Sequence, residues 1–522
     1  MSAEHIERER KYDGGWPPRR FEGLPGVAQV VPAEPQMLDA VYYDTPDLRL
    51  LRRQITLRRR TGGNDAGWHL KLPRDADTRE EIHEPLASGA TGQVPSPLTL
   101  RLAVLVRGRT LVPVAHLHTR RRRELLLDAA GATLAEITED QVTAQTLDPP
   151  SQDSSHDGAP AGARSGGPRT QVTAWTETEV ELEEGDVALL DGVEDAITGA
   201  GGTRSRFSSK LARVLSDRRT PASGRVRLRQ ETPGAVVAGR IREQFGTLMT
   251  LDPRVRLNEP DSVHRMRVAA RRLRSLLKAH RRLFDRGQAD PLAAELRWLG
   301  RSLGRARDQE VLGEHLAAAV DGLPPEVRRG DLRARITGRY AHAYRQAWEH
   351  TAADLATARY YKLLDALEAF ADDPPFAEQP DGDGNATELL SRTLRREQRR
   401  TVKRLDAALV LDPGPARDDA LHRARKAAKR ARYTAESARR VSPERAKKFA
   451  KRMKSLQRAL GAHQDAVIAR TALMKAGSSD GGRHAFAYGV MYGHQQEVTR
   501  ETESLMPDLR RRAHKHGLAN LT

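Results

Sequence analysis

The amino-acid sequence predicts a two-domain α+β protein, a β barrel followed by a duplicated set of α-helical bundles. Three observations support this prediction. Segments of the first half alternate with the period of two that is typical of strands. From about residue 230 onward, alanine, leucine, arginine and glutamate recur in helical spacing. Within this second half, the basic segment HRMRVAARRLRS returns as HRARKAAKRARY, which indicates an internal repeat.

Strand-like segments of the first half share an unusual chemistry, because one face of each is fully charged. Side chains alternate along a strand, so residues two apart lie on the same face. Such faces carry Glu7, Glu9 and Lys11 on one strand, Arg58 and Arg60 on another, and Glu177, Glu179 and Glu181 on a third. One such face is usually a solvated surface. Several of them, acidic and basic, favour a barrel with a wet, charged interior.

The helical half carries a basic stripe in each copy of the repeat. Residues spaced by three and four share a helix face. These are His264, Arg267, Arg271, Arg274 and Lys278 in the first copy, and His422, Arg425, Lys429 and Arg432 in the second. Residues 264–284 contain no acidic residue that could pair with the stripe. The alternative to an anion-binding surface is an ordinary solvated face.

Charge is divided unevenly between the two halves and indicates the kind of partner. The net charge of the 522 residues is +18, but residues 1–220 hold 29 basic and 33 acidic side chains, whereas residues 221–522 hold 59 and 37. A polycationic half predicts a polyanionic partner: nucleic acid, an anionic membrane or a phosphate polymer. Aromatic residues are only 4% of the chain, so stacking platforms for bases are scarce. A base-free phosphate polymer is therefore favoured over specific nucleic-acid binding.

Composition also restricts the other possible sites. The chain has no cysteine, which excludes disulfides and zinc–thiolate sites and leaves His, Asp and Glu as metal ligands. No apolar run approaches the roughly 18 residues of a membrane span, and the N-terminal segment lacks the apolar core of a secretory signal. The sequence predicts a cytoplasmic protein without a membrane partner.

Composition shifts divide the chain into domains. The expected boundaries are 1–217 for the barrel domain, with a disordered insert at 148–170 rich in Pro, Gly and Ser, and 218–229 for a linker. The helical domain is expected at 230–515, with repeats at about 230–370 and 385–515 and about four helices in each.

The ordered motifs of the first half resemble the CYTH family of triphosphate tunnel metalloenzymes. They are ERERK (7–11), YYDT (42–45), LRRR, LKLP, TREE, ETEVEL and the closing SSK that ends at Lys210. The two basic helices and the two Leu-Gly segments, each followed by an aspartate, resemble the CHAD domain, the conserved-histidine α-helical domain. The two Leu-Gly segments are LGRSLGRARDQEVL (299–312) and LQRALGAHQDAVIA (456–469). The two domains in this order resemble a bacterial arrangement.

The resemblance implies a specific fold and chemistry. CYTH proteins are eight-stranded antiparallel tunnels that bind a triphosphate-bearing substrate with Mg²⁺ or Mn²⁺, and CHAD domains are linked to inorganic polyphosphate. Glu7, Glu9, Glu179 and Glu181 match the metal-binding and catalytic carboxylates. The positions that match the phosphate-gripping residues are Lys11, Arg58, Arg60, Lys71, Arg79, Arg121 and Lys210, with Arg121 chosen from the run Arg120–Arg123. The two basic stripes match the polyphosphate-binding surface.

The expected function is metal-dependent hydrolysis of inorganic triphosphate or short polyphosphate, with polyphosphate bound by the helical half. Two alternatives stay open from the sequence. One is a non-catalytic protein that binds polyphosphate or is targeted to polyphosphate granules, and the other is an adenylate cyclase of the CYTH type. The sequence shows no signature of a nucleoside pocket.

Overall fold

In the computed structural model, the described residues are 3–14, 21–89, 92–147, 171–218, 232–328, 330–377, 385–479, 484–515 and 517–521. The chain forms two compact units, Met1–Gly224 (the barrel unit) and Arg225–Thr522 (the helical unit). The predicted insert at 148–170 lies outside the described residues, as does the predicted linker apart from residue 218.

The barrel unit is an antiparallel barrel of eight strands, as the sequence predicts. β1 pairs with both β5 and β8, which closes the order β1-β5-β4-β3-β2-β6-β7-β8 into a ring, and a short β9 extends from β1. The strands are β1 (Ala3–Asp13), β2 (Gln29–Asp44), β3 (Thr56–Thr61), β4 (Gly67–Pro73), β5 (Thr78–Pro85), β6 (Val112–Leu127), β7 (Thr133–Thr146), β8 (Val172–Leu182) and β9 (Thr203–Arg204).

Many apolar side chains of the barrel face outward, which is the reverse of a barrel with an apolar core. Two helices, α1 (Ser96–Val106) and α2 (Val187–Gly199), cover this outer face, whereas α3 (Lys210–Val214) packs against Tyr42, a residue of the barrel interior. Leu57 and Leu70, for example, are fully buried in one cluster with Leu98 and Leu102 of α1. Because burial of apolar surface stabilises the barrel from outside, its interior is left available for charged side chains.

Strand β2 is absent from the strand-like segments that sequence alternation reveals. It contains Pro32 and Pro35, and proline cannot donate to a strand ladder. Its register with β6 shifts between Ala33 and Gln36, so an irregularity accommodates the prolines. Alternation therefore predicts the charged strands better than this one.

The helical unit is all α, as predicted, and its described residues form five helices in each repeat where about four are expected. The first repeat has α4 (Pro233–Arg256), α5 (Ser262–Ala279), α6 (Arg286–Asp321), α7 (Leu332–Leu355) and α8 (Ala358–Asp372). The second has α9 (Ala386–Leu409), α10 (Pro415–Ser437), α11 (Pro443–Ser479), α12 (Ala485–Ser504) and α13 (Met506–His514). Because each repeat ends in a short additional helix, α8 or α13, the estimate from length is one helix too low.

The two repeats share an apolar core, so neither is a separate bundle. Leu316 and Val320 of α6 are buried in one cluster with Leu473 of α11 and Met491 of α12. On α5, the apolar stripe that includes Met266, Leu273 and Leu277 is buried, which turns the basic stripe outward. Among the described residues, no helix has the length and apolarity to cross a membrane.

Candidate functional site

A cavity of about 280 Å³ inside the barrel, here called the tunnel cavity, is lined by charged side chains from seven strands and α3. All eleven predicted tunnel residues line it: Glu7, Glu9, Lys11, Arg58, Arg60, Lys71, Arg79, Arg121, Glu179, Glu181 and Lys210. The lining residues include eight carboxylates and eight basic side chains, so their formal charges balance. An added polyanion would leave excess negative charge unless cations accompany it.

Acidic residues meet where β1 and β8 pair. Glu9 is the direct register partner of Glu181, and Lys11 is the partner of Glu179. Like charges that face each other across a strand pair are destabilising unless a cation lies between them. Lys11 Nζ donates to Glu9 at 2.8 Å and also to Glu179, whereas no hydrogen bond or ion pair joins the side-chain carboxyl of Glu181 to another described residue. Glu181 is thus the carboxylate of this group with an open coordination position.

The electrostatics of the glutamates agree with this arrangement. Burial, then the charges of Glu7 and Glu9, outweigh Lys71 and raise the pKa of Glu181 to about 8. Burial also raises the pKa of Glu7. Burial would raise the pKa of Glu179, but Lys11, Lys210 and Arg121 hold it well below its usual range. One carboxyl of the cluster therefore retains a proton at neutral pH until a cation arrives.

Basic side chains surround the acidic cluster on the other strands. Lys71 Nζ donates to Glu7 at 2.6 Å, and Arg79 Nε lies 2.9 Å from Glu9. In the closed ring, β3 lies half-way round from the β8–β1 pair, so Arg58 and Arg60 face the acidic strands across the cavity. Burial, Arg58 and Arg121 lower the pKa of Arg60 to about 9, which shows how strongly these cations are crowded.

Lys210 enters the cavity from a helix rather than from a strand. Ser209 caps α3 by accepting from the Ala212 backbone N–H, which fixes Lys210 as the first helical residue. Lys210 Nζ lies 2.9 Å from Asp140, 2.8 Å from Glu177 and 2.7 Å from Glu179. Glu177 is buried against Lys210 and does not line the cavity.

Sequence reasoning missed two carboxylates of this network, Glu81 and Asp140. Glu81 lines the cavity, and Lys71, Arg58 and Arg60 outweigh its burial and hold its pKa at about 2. Asp140 is fully buried and accepts from Arg121 at 2.8 and 2.7 Å. The period-two alternation of strand side chains could have identified both residues as facing the cavity. Glu81 is two residues beyond Arg79, and Asp140 shares a face of β7 with Glu136, which also lines the cavity.

The helical unit has a second candidate site, a cavity of about 550 Å³ that we call the basic cleft. Among the residues that the structure describes, twelve lysines and arginines line it and no acidic residue does. Seven residues of the two predicted basic stripes line the cleft: Arg267, Arg271, Arg274, Lys278, His422, Arg425 and Lys429. The structure does not bring His264 and Arg432 into the cleft. Arg432 lies over the Tyr433 ring, 4.7 Å from its centroid.

The two copies of the basic stripe face each other across the cleft. Arg271 of α5 lies 5.8 Å from the centroid of the Tyr433 ring of α10. Further cations outside the two predicted stripes complete the cleft, namely Arg297, Arg301, Arg400, Arg404, Lys426 and Arg430. The duplication thus builds one surface from two helices.

The Leu-Gly segments with a following aspartate position one arginine in each repeat. Arg267 Nη1 donates to Asp308 at 2.9 Å, and Arg425 Nη2 lies 3.7 Å from Asp465. Gly304 and Gly461 lie one turn before these aspartates. A Cβ atom on Gly304 would approach the Arg267 guanidinium to 3.3 Å, which is tighter than an ordinary contact, whereas a Cβ atom on Gly461 would lie at an ordinary 3.5 Å from Arg425. Glycine at position 304 therefore leaves room for Arg267 to lie across the helix.

The remaining cations of the cleft have few partners. Among the described residues, no ion pair joins a carboxylate to Arg271, Arg274, Lys278 or Lys429. The Nε atoms of Arg271 and Arg274 are buried without a hydrogen-bond partner in the described part of the chain. Burial, Arg271 and Arg425 lower the pKa of Lys429 to about 7. The cleft therefore stores repulsion that an anion would relieve.

Another cavity, of about 460 Å³, is lined by His280 and by Arg395, Arg396 and Arg399 of α9. His280 is 2% exposed, and neither of its ring nitrogens has a hydrogen-bond partner among the described residues. The cationic surface of α9 thus continues beyond the basic cleft.

Comparison with known proteins gives matches to both units. The family model for the CYTH domain matches residues 6–213, and the family model for the CHAD domain matches residues 239–474. A Mycobacterium tuberculosis protein described as uncharacterized is 37% identical over 506 residues, which are 95% of this chain and 93% of that protein.

Two solved structures are also similar to parts of the chain. A CHAD domain from the plant Ricinus communis is 22% identical with a TM-score of 0.43, and the match covers 56% of this chain and 97% of that one. A Hippeastrum protein, described as a candidate adenylyl cyclase with a dominant triphosphatase activity, is 14% identical with a TM-score of 0.23, covering 42% of this chain and 98% of that one.

Proposed function

Because this chain belongs to the proteins that join an N-terminal CYTH domain to a C-terminal CHAD domain, we propose that it is a metal-dependent triphosphatase with a polyphosphate-binding module. The substrate is inorganic triphosphate or a short polyphosphate. One observation carries the proposal: the tunnel cavity brings four glutamates of β1 and β8 together with basic side chains of β3, β4, β5 and β6. Carboxylates suit a hard divalent cation, and the basic groups suit phosphate oxygens.

The donor set fits a divalent metal ion of the kind the CYTH family implies. The carboxyl groups of Glu9 and Glu181 face each other in the strand register, and that of Glu181 has no cationic partner within hydrogen-bonding reach among the described residues. Glu7, Glu9, Glu179 and Glu181 would hold Mg²⁺ or Mn²⁺ through carboxylate oxygens. When bound, such an ion neutralises phosphate charge and lowers the pKa of a bound water.

The protein side chains would divide the remaining work. Arg58 and Arg60 would bind the phosphate oxygens from the far side of the cavity. Lys71, Arg79 and Arg121 would bind them beside the glutamates that they contact. Because these groups are already held by hydrogen bonds or packing, binding needs little reorganisation. The barrel wall would orient the phosphate chain along the tunnel, which favours in-line attack by water.

The basic cleft would bind inorganic polyphosphate through Arg267, Arg271, Arg274, Lys278, Arg425 and Lys429. Its lining contains one aromatic residue, Tyr433, which already packs against arginines. A polymer with phosphates and no bases therefore matches the chemistry of the cleft better than a nucleic acid does.

A phosphate-release assay on triphosphate, polyphosphate and ATP, with Mg²⁺, Mn²⁺ or a chelator, tests the enzymatic part. We expect metal-dependent release of orthophosphate from triphosphate, and none with the chelator. Cyclic AMP with pyrophosphate as the products from ATP would instead support a cyclase. No turnover of any of these substrates would support a non-catalytic binding protein.

The barrel domain alone should be active. Every residue assigned to hydrolysis lies within 1–217, and the barrel forms a compact unit. We expect a 1–217 fragment to hydrolyse triphosphate within about threefold of the full-length rate, since the effects of independent parts of a protein are nearly additive. Steady-state kinetics of both proteins would measure this. Loss of activity in a folded fragment would show that the helical domain contributes to the active site.

Metal affinity should depend on pH through Glu181. Its pKa of about 8 means that below that pH the metal must displace a proton. Apparent Mg²⁺ affinity should rise by up to about tenfold per pH unit from pH 6 and level off above about 8, because one proton is exchanged. Calorimetric titrations across this range would measure the slope. Glu181→Gln should flatten it, and an affinity that falls as pH rises would contradict the assignment.

A further inference from the structure

Two histidines and an aspartate lie together on the barrel, outside the tunnel cavity. His116 and His118 are two residues apart on β6, so their imidazoles share one face, and Leu117 between them is buried on the other. Asp39 of β2 is the register partner of His118. None of these three polar residues lines the tunnel cavity.

One carboxylate already bridges both imidazoles. Asp39 Oδ1 lies 2.9 Å from His116 Nε2, and Oδ2 lies 2.8 Å from His118 Nδ1. The three ligand atoms all lie within 4.8 Å of one another. An ion held tetrahedrally at about 2.1 Å keeps its ligands roughly 3.4 Å apart, so small side-chain rotations would suffice to bind it.

The surroundings of the cluster also suit a cation. Among the described residues, no lysine or arginine forms an ion pair with Asp39, whose partners are the two imidazoles. The Asp39 and His118 side chains are 44% and 58% exposed, so water can reach the ion and complete its coordination. Imidazole nitrogen ligands favour Zn²⁺ and similar divalent transition-metal ions, whereas Mg²⁺ prefers oxygen ligands.

We propose that Asp39, His116 and His118 form a site for a divalent transition-metal ion of the zinc class on the outside of the barrel. The ion ties β2 to β6 and is distinct from the metal in the tunnel. Its binding requires His116 Nε2 and His118 Nδ1 as lone-pair donors, with the ring proton of each histidine on the other nitrogen. The proposed site consists of these three residues alone, so a test of it does not depend on whether the protein hydrolyses triphosphate.

Zinc titration of the full-length, chelator-treated protein tests the proposal. Competition with a chromophoric chelator, in excess Mg²⁺ to occupy oxygen-only sites, counts the zinc equivalents bound. The double variant His116→Asn, His118→Asn should bind one equivalent fewer than the wild type. Asp39→Asn should weaken that equivalent by at least the roughly 10- to 100-fold that loss of an outer partner costs.

A matched control comes from the helical unit. His463 also lies near two carboxylates, Asp418 and Glu503, but Arg417 Nη2 lies 3.1 Å from Glu503 and competes there. His463→Asn should leave the equivalent at Asp39 unchanged. Zinc should also raise the melting temperature of the wild type more than that of the double variant. Equal zinc stoichiometry in the wild type and the double variant would overturn the proposal, as would no zinc bound by the wild type.

Discussion

Replacing Glu9 by Gln should abolish metal-dependent phosphate release from triphosphate while the barrel stays folded. Glu9 is buried, faces Glu181 in the strand register and accepts from Lys11 and Arg79. The amide removes the negative charge that would hold a divalent ion between β1 and β8. We expect a rate loss well beyond the roughly 10- to 100-fold that loss of an outer partner of a metal ligand costs. Initial rates at saturating Mg²⁺ or Mn²⁺ would measure it.

Glu4→Gln is the matched control for this variant. Glu4 is the same residue type on the same strand, but it lies on the opposite face, is 53% exposed and pairs with Arg101. Its substitution should leave the rate and the melting temperature nearly unchanged. If Glu9→Gln keeps full activity, the glutamates do not hold a catalytic metal. If it unfolds the barrel, Glu9→Asp, which retains the charge, separates a folding defect from a catalytic one.

The charged strands could be predicted from the sequence because alternation with period two is a local property. Glu7, Glu9 and Lys11 share a face in any strand, whatever its neighbours are. The pairing of Glu9 with Glu181 could not be predicted this way, because register between distant segments depends on the closed barrel. Similarly, the apolar faces alone do not predict that helices α1 and α2 cover the outside of the barrel.

In the helical unit, the sequence repeat predicts the two basic stripes but not how deeply their side chains are buried. Helical spacing placed Arg271 and Lys429 on equivalent faces of α5 and α10. That these faces meet, and so lower the pKa of Lys429 to about 7, depends on how the two repeats pack. Arg297 and Arg301 of α6 were not predicted, because their helix carries acidic residues as well and has no separate basic run.

Reversing Arg271 and Lys429 to Glu should weaken binding of long-chain polyphosphate without changing triphosphate hydrolysis. Both side chains line the basic cleft, and neither forms an ion pair with a carboxylate among the described residues. Loss of two hydrogen bonds to charged groups costs about 3 kcal/mol or more, which is on the order of 100-fold in affinity. Binding should also become less dependent on salt, because fewer counterions are released when the polymer binds. Titrations at several salt concentrations would measure both effects.

Arg265→Glu with Arg423→Glu is the matched control. These arginines occupy equivalent positions on the same two helices, and both are exposed and lie outside the lining of the cleft. The control changes the net charge of the protein by the same amount, so a purely long-range effect would weaken binding equally in both variants. We expect a much smaller loss in the control.

For the wild type, polyphosphate should displace single-stranded DNA of similar length, because the cleft offers charge without free stacking platforms. Equal losses in the two double variants, or tighter binding of DNA, would mean that the basic stripes are a solvated surface rather than a polyphosphate site.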